Sequence, residues 1–217
     1  LVGSKVRFVA TATIGFDHID QEYCREAGVY WVSCPGCNAQ AVCDYVEEAI
    51  SSIKSDKNDL TVGVVGYGHV GKLVAQMVQR RGHKVLVSDP PLGIGLSLKE
   101  LAWQCDVITF HTPLTREGEH MTYHMCDAEV LRLCKDDVLL INAARGGVLD
   151  ERALLEHLAS EQGTQMKVVI DCWEGEPNLN QELLQKVELA SFHIAGYSIQ
   201  GKMKASEMCL HTFCDFF

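Results

Sequence analysis

From Thr61 onward, short runs that are apolar almost throughout alternate with stretches whose apolar residues recur every three or four positions. The runs are Thr61–Val65, Lys84–Ser88, Val107–Phe110, Val138–Ile141, Val168–Ile170 and Glu188–Ser191. They are short, and continuous apolar runs of this length suit strands buried on both faces. The intervening stretches, Val70–Arg80, Leu98–Trp103, Ala128–Leu133 and Glu151–Ala159, carry helical spacing. Regular alternation of the two predicts a parallel sheet covered by helices on both sides, an α/β fold. Ahead of this block the pattern predicts a strand over residues 6–10 and a polar turn from Thr11 to Asp17. A short helix over Ile19–Ala27, stopped by Gly28, and a strand over Val29–Val32 follow. In Ala39–Ile53 the apolar residues Val42, Tyr45, Val46, Ala49, Ile50 and Ile53 line one face of a helix. The polar run Ser55–Asp59 then breaks the pattern and predicts an inter-domain joint. Gln200–Phe217 reads as a closing helix.

Composition narrows the classes. The chain has 217 residues and a formal net charge of −10, from 19 basic and 29 acidic residues. An acidic chain argues against nucleic acid or an anionic membrane surface as partner, since both call for a basic face. No apolar run approaches the roughly 20 residues of a membrane helix. The chain opens on Leu1 close to a strand-like run, so a missing front segment is expected. Ten cysteines are scattered over strand and helix patterns, which predicts free thiols and a cytoplasmic setting rather than a disulfide framework. Cys34-Pro35-Gly36-Cys37 has C-x-x-C spacing, but it leads straight into an amphipathic helix and lacks the further ligands of a zinc site. No metal is expected.

Gly66, Gly68 and Gly71 form G-x-G-x-x-G after a strand and at the opening of a helix, the context in which that motif binds a dinucleotide. Gly66 allows the tight turn, Gly68 lets the backbone approach a pyrophosphate, and Gly71 lets helix and strand pack closely. The N–H groups near His69 and Val70 then face the phosphates at the positive end of the helix. Asp89, at the end of the next strand, is placed to accept hydrogen bonds from the adenosine ribose, which favours NAD over NADP. It also reads as a turn residue before Pro90-Pro91.

Three polar residues sit just beyond later apolar runs, where the ligand crevice of an open parallel sheet lies. Arg145 follows Leu139-Leu140-Ile141-Asn142, Glu176 follows Val168–Asp171, and His193 follows Leu189–Phe192. An arginine fork can hold a carboxylate with two parallel hydrogen bonds. A histidine exchanges a hydroxyl proton near neutral pH. A carboxylate beside that histidine orients the ring and favours its charged form. Together they predict hydride transfer involving a 2-hydroxy acid.

In this order, and with Phe110-His111-Thr112-Pro113-Leu114, Ile141–Gly147, Asp171–Pro177 and His193–Tyr197, the chain resembles the D-isomer-specific 2-hydroxyacid dehydrogenases. The resemblance implies a doubly wound parallel sheet (Rossmann) with part of a smaller, flavodoxin-like α/β substrate domain. It divides the chain into a partial substrate domain and linking helix over 1–54, an NAD-binding domain over 60–194, and a return segment over 195–217. It makes Arg145 the substrate anchor, His193 the proton donor or acceptor and Glu176 its support. It adds Thr112, Asp171 and Gly196 to Gly68, His69, Val70 and Asp89 as NAD contacts. The stretches Ala10–His18, Pro35–Ala39 and His193–Ser198 with Gly201-Lys202 are similar to a branch that acts on a phosphorylated hydroxy acid. There Thr13 and Tyr197 touch the substrate, and the full-length protein is a homodimer. Two other readings stay open. One is a relative acting on 3-phosphoglycerate, hydroxypyruvate or glyoxylate, and the other a protein that senses NAD(H) without turnover.

Overall fold

The computed structural model describes residues 5–217, which fall into two units. One runs up to Ala41 and includes Gly196–Phe217; the other is Val42–Ala195.

The larger unit is built on a seven-stranded sheet. Its strands are β3 (Thr61–Val65), β4 (Lys84–Asp89), β5 (Ile94–Gly95), β6 (Val107–Phe110), β7 (Leu139–Asn142), β8 (Lys167–Ile170) and β9 (Leu189–Ala190), in the spatial order β5-β4-β3-β6-β7-β8-β9. All pairings are parallel except β4 with β5. The parallel sheet and its covering helices follow the expected alternation, whereas the antiparallel edge does not. β5 is only two residues long, and it turns back because Gly93 and Gly95 both take positive φ. A Cβ at Gly95 would collide with the Val87 carbonyl.

Side chains alternate across the sheet, as the pleat requires. Val62, Val64, Val107, Leu139, Ile141 and Val169 point to one face. There they meet Val46, Ala49 and Ile50 of α2 (Ala39–Ile53) and Val74, Met77 and Val78 of α3 (His69–Arg80). Val65, Ile108, Phe110, Leu140, Val168 and Ile170 point to the other face. That face is covered by α4 (Leu98–Gln104), α5 (Ala128–Leu133) and α6 (Glu151–Leu158). Burying each such Val, Leu or Ile contributes about 1.5–3 kcal/mol, so both faces draw the chain into this layering. A single helical turn, α7 (Gln181–Leu184), precedes β9 under an Asn180 cap. It is too short for its periodicity to show in sequence.

The smaller unit pairs β1 (Phe8–Ala10) with β2 (Tyr30–Val32) in parallel, with α1 (Gln21–Glu26) between them in sequence and α8 (Ile199–Phe216) at the end. The strand expected over 6–10 is confined to its last three residues. Phe8 packs edge-on to Phe213, with ring centroids 5.6 Å apart, and Tyr30 stacks on Phe216 at 5.4 Å. Cys34 and Cys37 are buried free thiols, and Cys34 Sγ lies 3.3 Å from the Ala205 carbonyl. Among the described residues no helix is long and apolar enough to cross a membrane, and no group of His, Cys, Asp or Glu side chains is arranged to hold a metal.

Candidate active site

In the order of the strands, β3 has β4 on one side and β6 on the other, so the chain leaves the sheet's centre in both directions. The loops beyond the C-terminal ends of β3 and β6 face each other there, which is where open α/β sheets bind ligands. Gly66 takes φ 89°, and a Cβ on it would stand 2.6 Å from the His111 carbonyl oxygen and 3.1 Å from Thr112 Cγ2. The turn after β3 is thus pressed against the loop that carries Thr112. Gly71, inside the first turn of α3, rests on the Gly66 carbonyl, leaving no room for a side chain. Gly68 is the opposite case, since a Cβ there would meet nothing within 4 Å. It is the N-cap of α3 and supplies no side-chain cap, while α1 and α4 to α8 each have one. His69 is exposed and Val70 half-buried against the core. A bare helix N-terminus beside open space fits a pyrophosphate.

Asp89 ends β4. Its Oδ2 accepts the Tyr67 N–H at 2.6 Å and its Oδ1 the Leu92 N–H at 3.2 Å. It therefore holds the glycine turn and caps the turn at Pro90–Leu92, as the turn reading expects. A carboxylate has about four lone-pair sites, which leaves acceptors for ribose hydroxyls. His111 was missed by sequence reasoning. Its Nε2 lies 2.9 Å from Thr109 Oγ1, its Nδ1 is buried without a partner, and burial pushes its pKa down to about 3, so the ring is neutral.

Arg145, Glu176 and His193 all belong to the larger unit. His193 Nδ1 lies 3.0 Å from Glu176 Oε2, and Glu176 Oε1 accepts the Trp173 N–H at 2.7 Å. The imidazole is about half exposed, and its residue takes φ 57°, a conformation non-glycine residues rarely hold without support. Support comes from Asp171, which is buried. Its Oδ1 accepts Ser191 Oγ–H at 2.6 Å and the Ile194 N–H at 2.8 Å, its Oδ2 accepts the Ala195 N–H at 2.9 Å, and its carbonyl accepts the His193 N–H at 2.7 Å. All these bonds fold the 191–195 turn around one residue. Ser191 Oγ also lies 2.7 Å from Tyr45 Oη, and Trp173 Nε1 donates to the Ser191 carbonyl.

Arg145 follows β7 and is half-buried, with one guanidinium N–H on the Ala144 carbonyl at 2.8 Å. Asn142, also unanticipated, ties its loop to the next. Its Nδ2 donates to the Arg145 and Cys172 carbonyls and its Oδ1 accepts the Ala144 N–H. Gly146 packs on the Trp173 carbonyl too closely for any side chain. The arginine loop and the glutamate loop are therefore one packed assembly.

Thr13, Gly196 and Tyr197 belong to the smaller unit. Thr13 Oγ1 bonds the Gly15 carbonyl and Thr11 Oγ1, both at 2.7 Å. Gly196 is half-buried in the turn before α8. The Tyr197 ring is exposed with Lys202 Nζ 3.5 Å from its centroid, and that ammonium draws the phenol pKa down.

Residues 42–195 match the family model described as D-isomer specific 2-hydroxyacid dehydrogenase, NAD binding domain. Over the whole chain the sequence is 45% identical to an erythronate-4-phosphate dehydrogenase of Bacteroides thetaiotaomicron and 40% identical to that of Escherichia coli. The chain spans 65% and 59% of the length of these two relatives. Among solved structures, an NAD+-bound 3-phosphoglycerate dehydrogenase of Entamoeba histolytica superposes with a TM-score of 0.84 at 26% identity, over 98% of this chain and 72% of that one. A D-lactate dehydrogenase of Aquifex aeolicus, with NAD and lactic acid, gives 0.75 at 26% identity, over 97% and 76%.

Proposed function

The chain belongs to the D-isomer specific 2-hydroxyacid dehydrogenase family, and on that premise we propose that the protein oxidises the 2-hydroxyl of 4-phospho-D-erythronate. The product is 2-oxo-3-hydroxy-4-phosphobutanoate, in a step toward pyridoxal phosphate. The observation that carries the chemistry is the His193–Glu176 pair at 3.0 Å, on loops packed against the one that bears Arg145. The 45% identity along the whole chain to a relative of that name supports the substrate.

Each residue has a role its surroundings support. Glu176 engages His193 Nδ1, which leaves Nε2 as the nitrogen that takes the hydroxyl proton. Arg145 pairs with the substrate carboxylate through its guanidinium fork. Gly66–Gly71, Asp89 and Thr112 would hold NAD+, which when bound would supply the acceptor for the hydride from C2. Asp171 acts by holding the His193 turn. Gly196 is a proposed NAD contact, and Thr13 and Tyr197 proposed substrate contacts, by matching position. The smaller unit is assigned as part of the substrate domain, and the intact protein as a cytoplasmic homodimer. Sedimentation of the intact protein tests the last point.

Steady-state rates of the intact protein on 4-phosphoerythronate, 3-phosphoglycerate and hydroxypyruvate test the substrate. A preference for 3-phosphoglycerate sinks it. Unchanged activity in His193→Ala sinks the assignment of the base. NADH binding with no turnover of any of the three points instead to a sensor.

A further inference from the structure

We propose that His124 and Glu174 are positioning residues for this reaction, forming a second histidine–glutamate pair that fixes the turn from which Glu176 reaches His193. The idea rests on the dehydrogenase reading above and adds residues to it. Among the described residues, His124 and His193 are the only non-glycine positions with positive φ, at 53° and 57°. Each places its ring on a glutamate of the same turn. His193 meets Glu176, while His124 Nε2 lies 2.9 and 3.0 Å from the two Glu174 carboxylate oxygens. Holding a non-glycine residue in that region costs about 1–3 kcal/mol, so something must hold His124 there.

The surroundings supply the reason. The His124 N–H donates to the Gly147 carbonyl, two residues beyond Arg145. Its ring stacks on Tyr123, with centroids 3.8 Å apart, and Tyr123 Oη–H donates to Glu174 Oε1 at 3.0 Å. The Tyr123 ring in turn lies against Gly147, and the Arg116 guanidinium covers it at 4.2 Å. From behind, buried Glu151 accepts the Glu174 N–H at 2.6 Å. Asp150 Oδ2 lies 3.7 Å from His124 Nδ1. Glu174 is thus gripped through both its side chain and its backbone. It stands between Trp173, whose N–H holds Glu176 Oε1, and Gly175, whose φ of 77° turns the chain back toward Glu176. Loosening Glu174 frees the Trp173 amide and with it the carboxylate that orients His193.

The test uses the intact protein and three variants. His124→Gly removes the ring while leaving a residue at ease with positive φ, so the backbone has no reason to move. Glu174→Ala removes the partner, and Glu174→Gln keeps an acceptor of the same shape. His124→Gly and Glu174→Ala are each expected to lower kcat about tenfold with KM for NAD+ changed less than about twofold, the signature of misaligned groups. The double variant His124→Gly/Glu174→Ala is expected to fall no further than about twofold below either single, because the two act as one unit. Glu174→Gln restores most of the rate. Hydrogen–deuterium exchange gives a readout without substrate: the Trp173 amide exchanges faster in His124→Gly. Wild-type kcat and wild-type exchange in His124→Gly overturn the proposal, as do losses that multiply in the double variant. If the wild type ignores 4-phosphoerythronate yet the Trp173 amide loosens in His124→Gly, the substrate reading fails and the positioning role stands.

Discussion

Gly68 and Gly71 belong to one motif, but the structure assigns them different work, and alanine at each separates fold from ligand. At Gly68 the backbone has φ −79°, which any residue can adopt, and an added Cβ meets no protein atom within 4 Å. Gly68→Ala is therefore expected to fold as well as the wild type, or to gain about 0.4–1 kcal/mol from a stiffer unfolded chain. Its methyl group, however, projects into the space proposed for the pyrophosphate. Losing one charge-assisted N–H bond there costs about 1.5–3 kcal/mol, which is about a 10- to 150-fold rise in the Kd for NADH.

At Gly71 the consequences reverse. A Cβ would stand 2.9 Å from the Gly66 carbonyl carbon, 3.3 Å from Val64 Cγ1, and closer still to the Gly66 oxygen. Ordinary contacts of this kind lie at about 3.5–4.0 Å, so α3 must retreat by about 1.5 Å or more to clear the oxygen, or the turn after β3 must open. Both neighbours are fixed, Gly66 by the His111 carbonyl and Val64 by the sheet core. Gly71→Ala is expected to lose about 1–3 kcal/mol of stability, the usual cost of overpacking, and to bind NADH poorly as well. Urea titration followed by tryptophan fluorescence gives the first quantity, and calorimetric titration with NADH the second. Unaltered NADH affinity in Gly68→Ala refutes the placement of the pyrophosphate. Wild-type stability in Gly71→Ala refutes the packing argument.

Further outcomes follow from single side chains. Burial holds Glu151 up to about 7 from an ordinary value of 4.5, so the folded state prefers its protonated form. That contribution is complete below about pH 4.5 and is lost as pH rises through about 7, to a limit of about 3 kcal/mol. Glu151→Gln should therefore flatten the fall in urea stability between pH 5 and 8, and a parallel fall in the variant counts against the assignment. Asp171→Ala leaves three donors of the 191–195 turn without their acceptor and should cost about 3 kcal/mol or more. A loss below about 1 kcal/mol would mean that the turn is held by other bonds. Asp89→Ser removes the charge proposed to repel a 2′-phosphate, and the ratio of NADP+ to NAD+ affinity should rise about tenfold or more. An unchanged ratio would leave Asp89 with its structural duty alone, toward the Tyr67 and Leu92 amides.

The glycine turn was legible because its demands are local. The tight turn at Gly66, the open face at Gly68 and the close approach at Gly71 all arise within six residues. The sheet was legible because a strand buried on both faces shows as an unbroken apolar run, as Leu139–Ile141 does. Where strands met the surface the pattern blurred. β5 is two exposed residues, and nothing in Ile94-Gly95 marks a reversal of direction. Asp171 shows another limit. The resemblance implies an NAD contact for it, and nothing in the sequence shows that its carboxylate also accepts from Ser191, Ile194 and Ala195. A strand-end acid looks the same in sequence whether it faces a ligand or the next loop.

The second histidine–glutamate pair was illegible for a physical reason. Sequence patterns report periodicity and composition, and His124 acts through neither. It sits in an irregular loop, its partner lies 50 positions away, and its role depends on a backbone dihedral that glycine would ordinarily occupy. Glu176 stood out because a strand delivers it and His193 is near in the same crevice order. Glu174, two residues earlier in the same turn, has an equally short bond to a histidine, yet only the fold brings the loop after β6 beside it. The turn over 173–176 is thus held from two sides, by His193 on the reacting side and by His124 on the other. Its geometry is then a property of both pairs together. A substitution that loosens either histidine should then be felt at Glu176, through the one amide, of Trp173, that bonds its carboxylate.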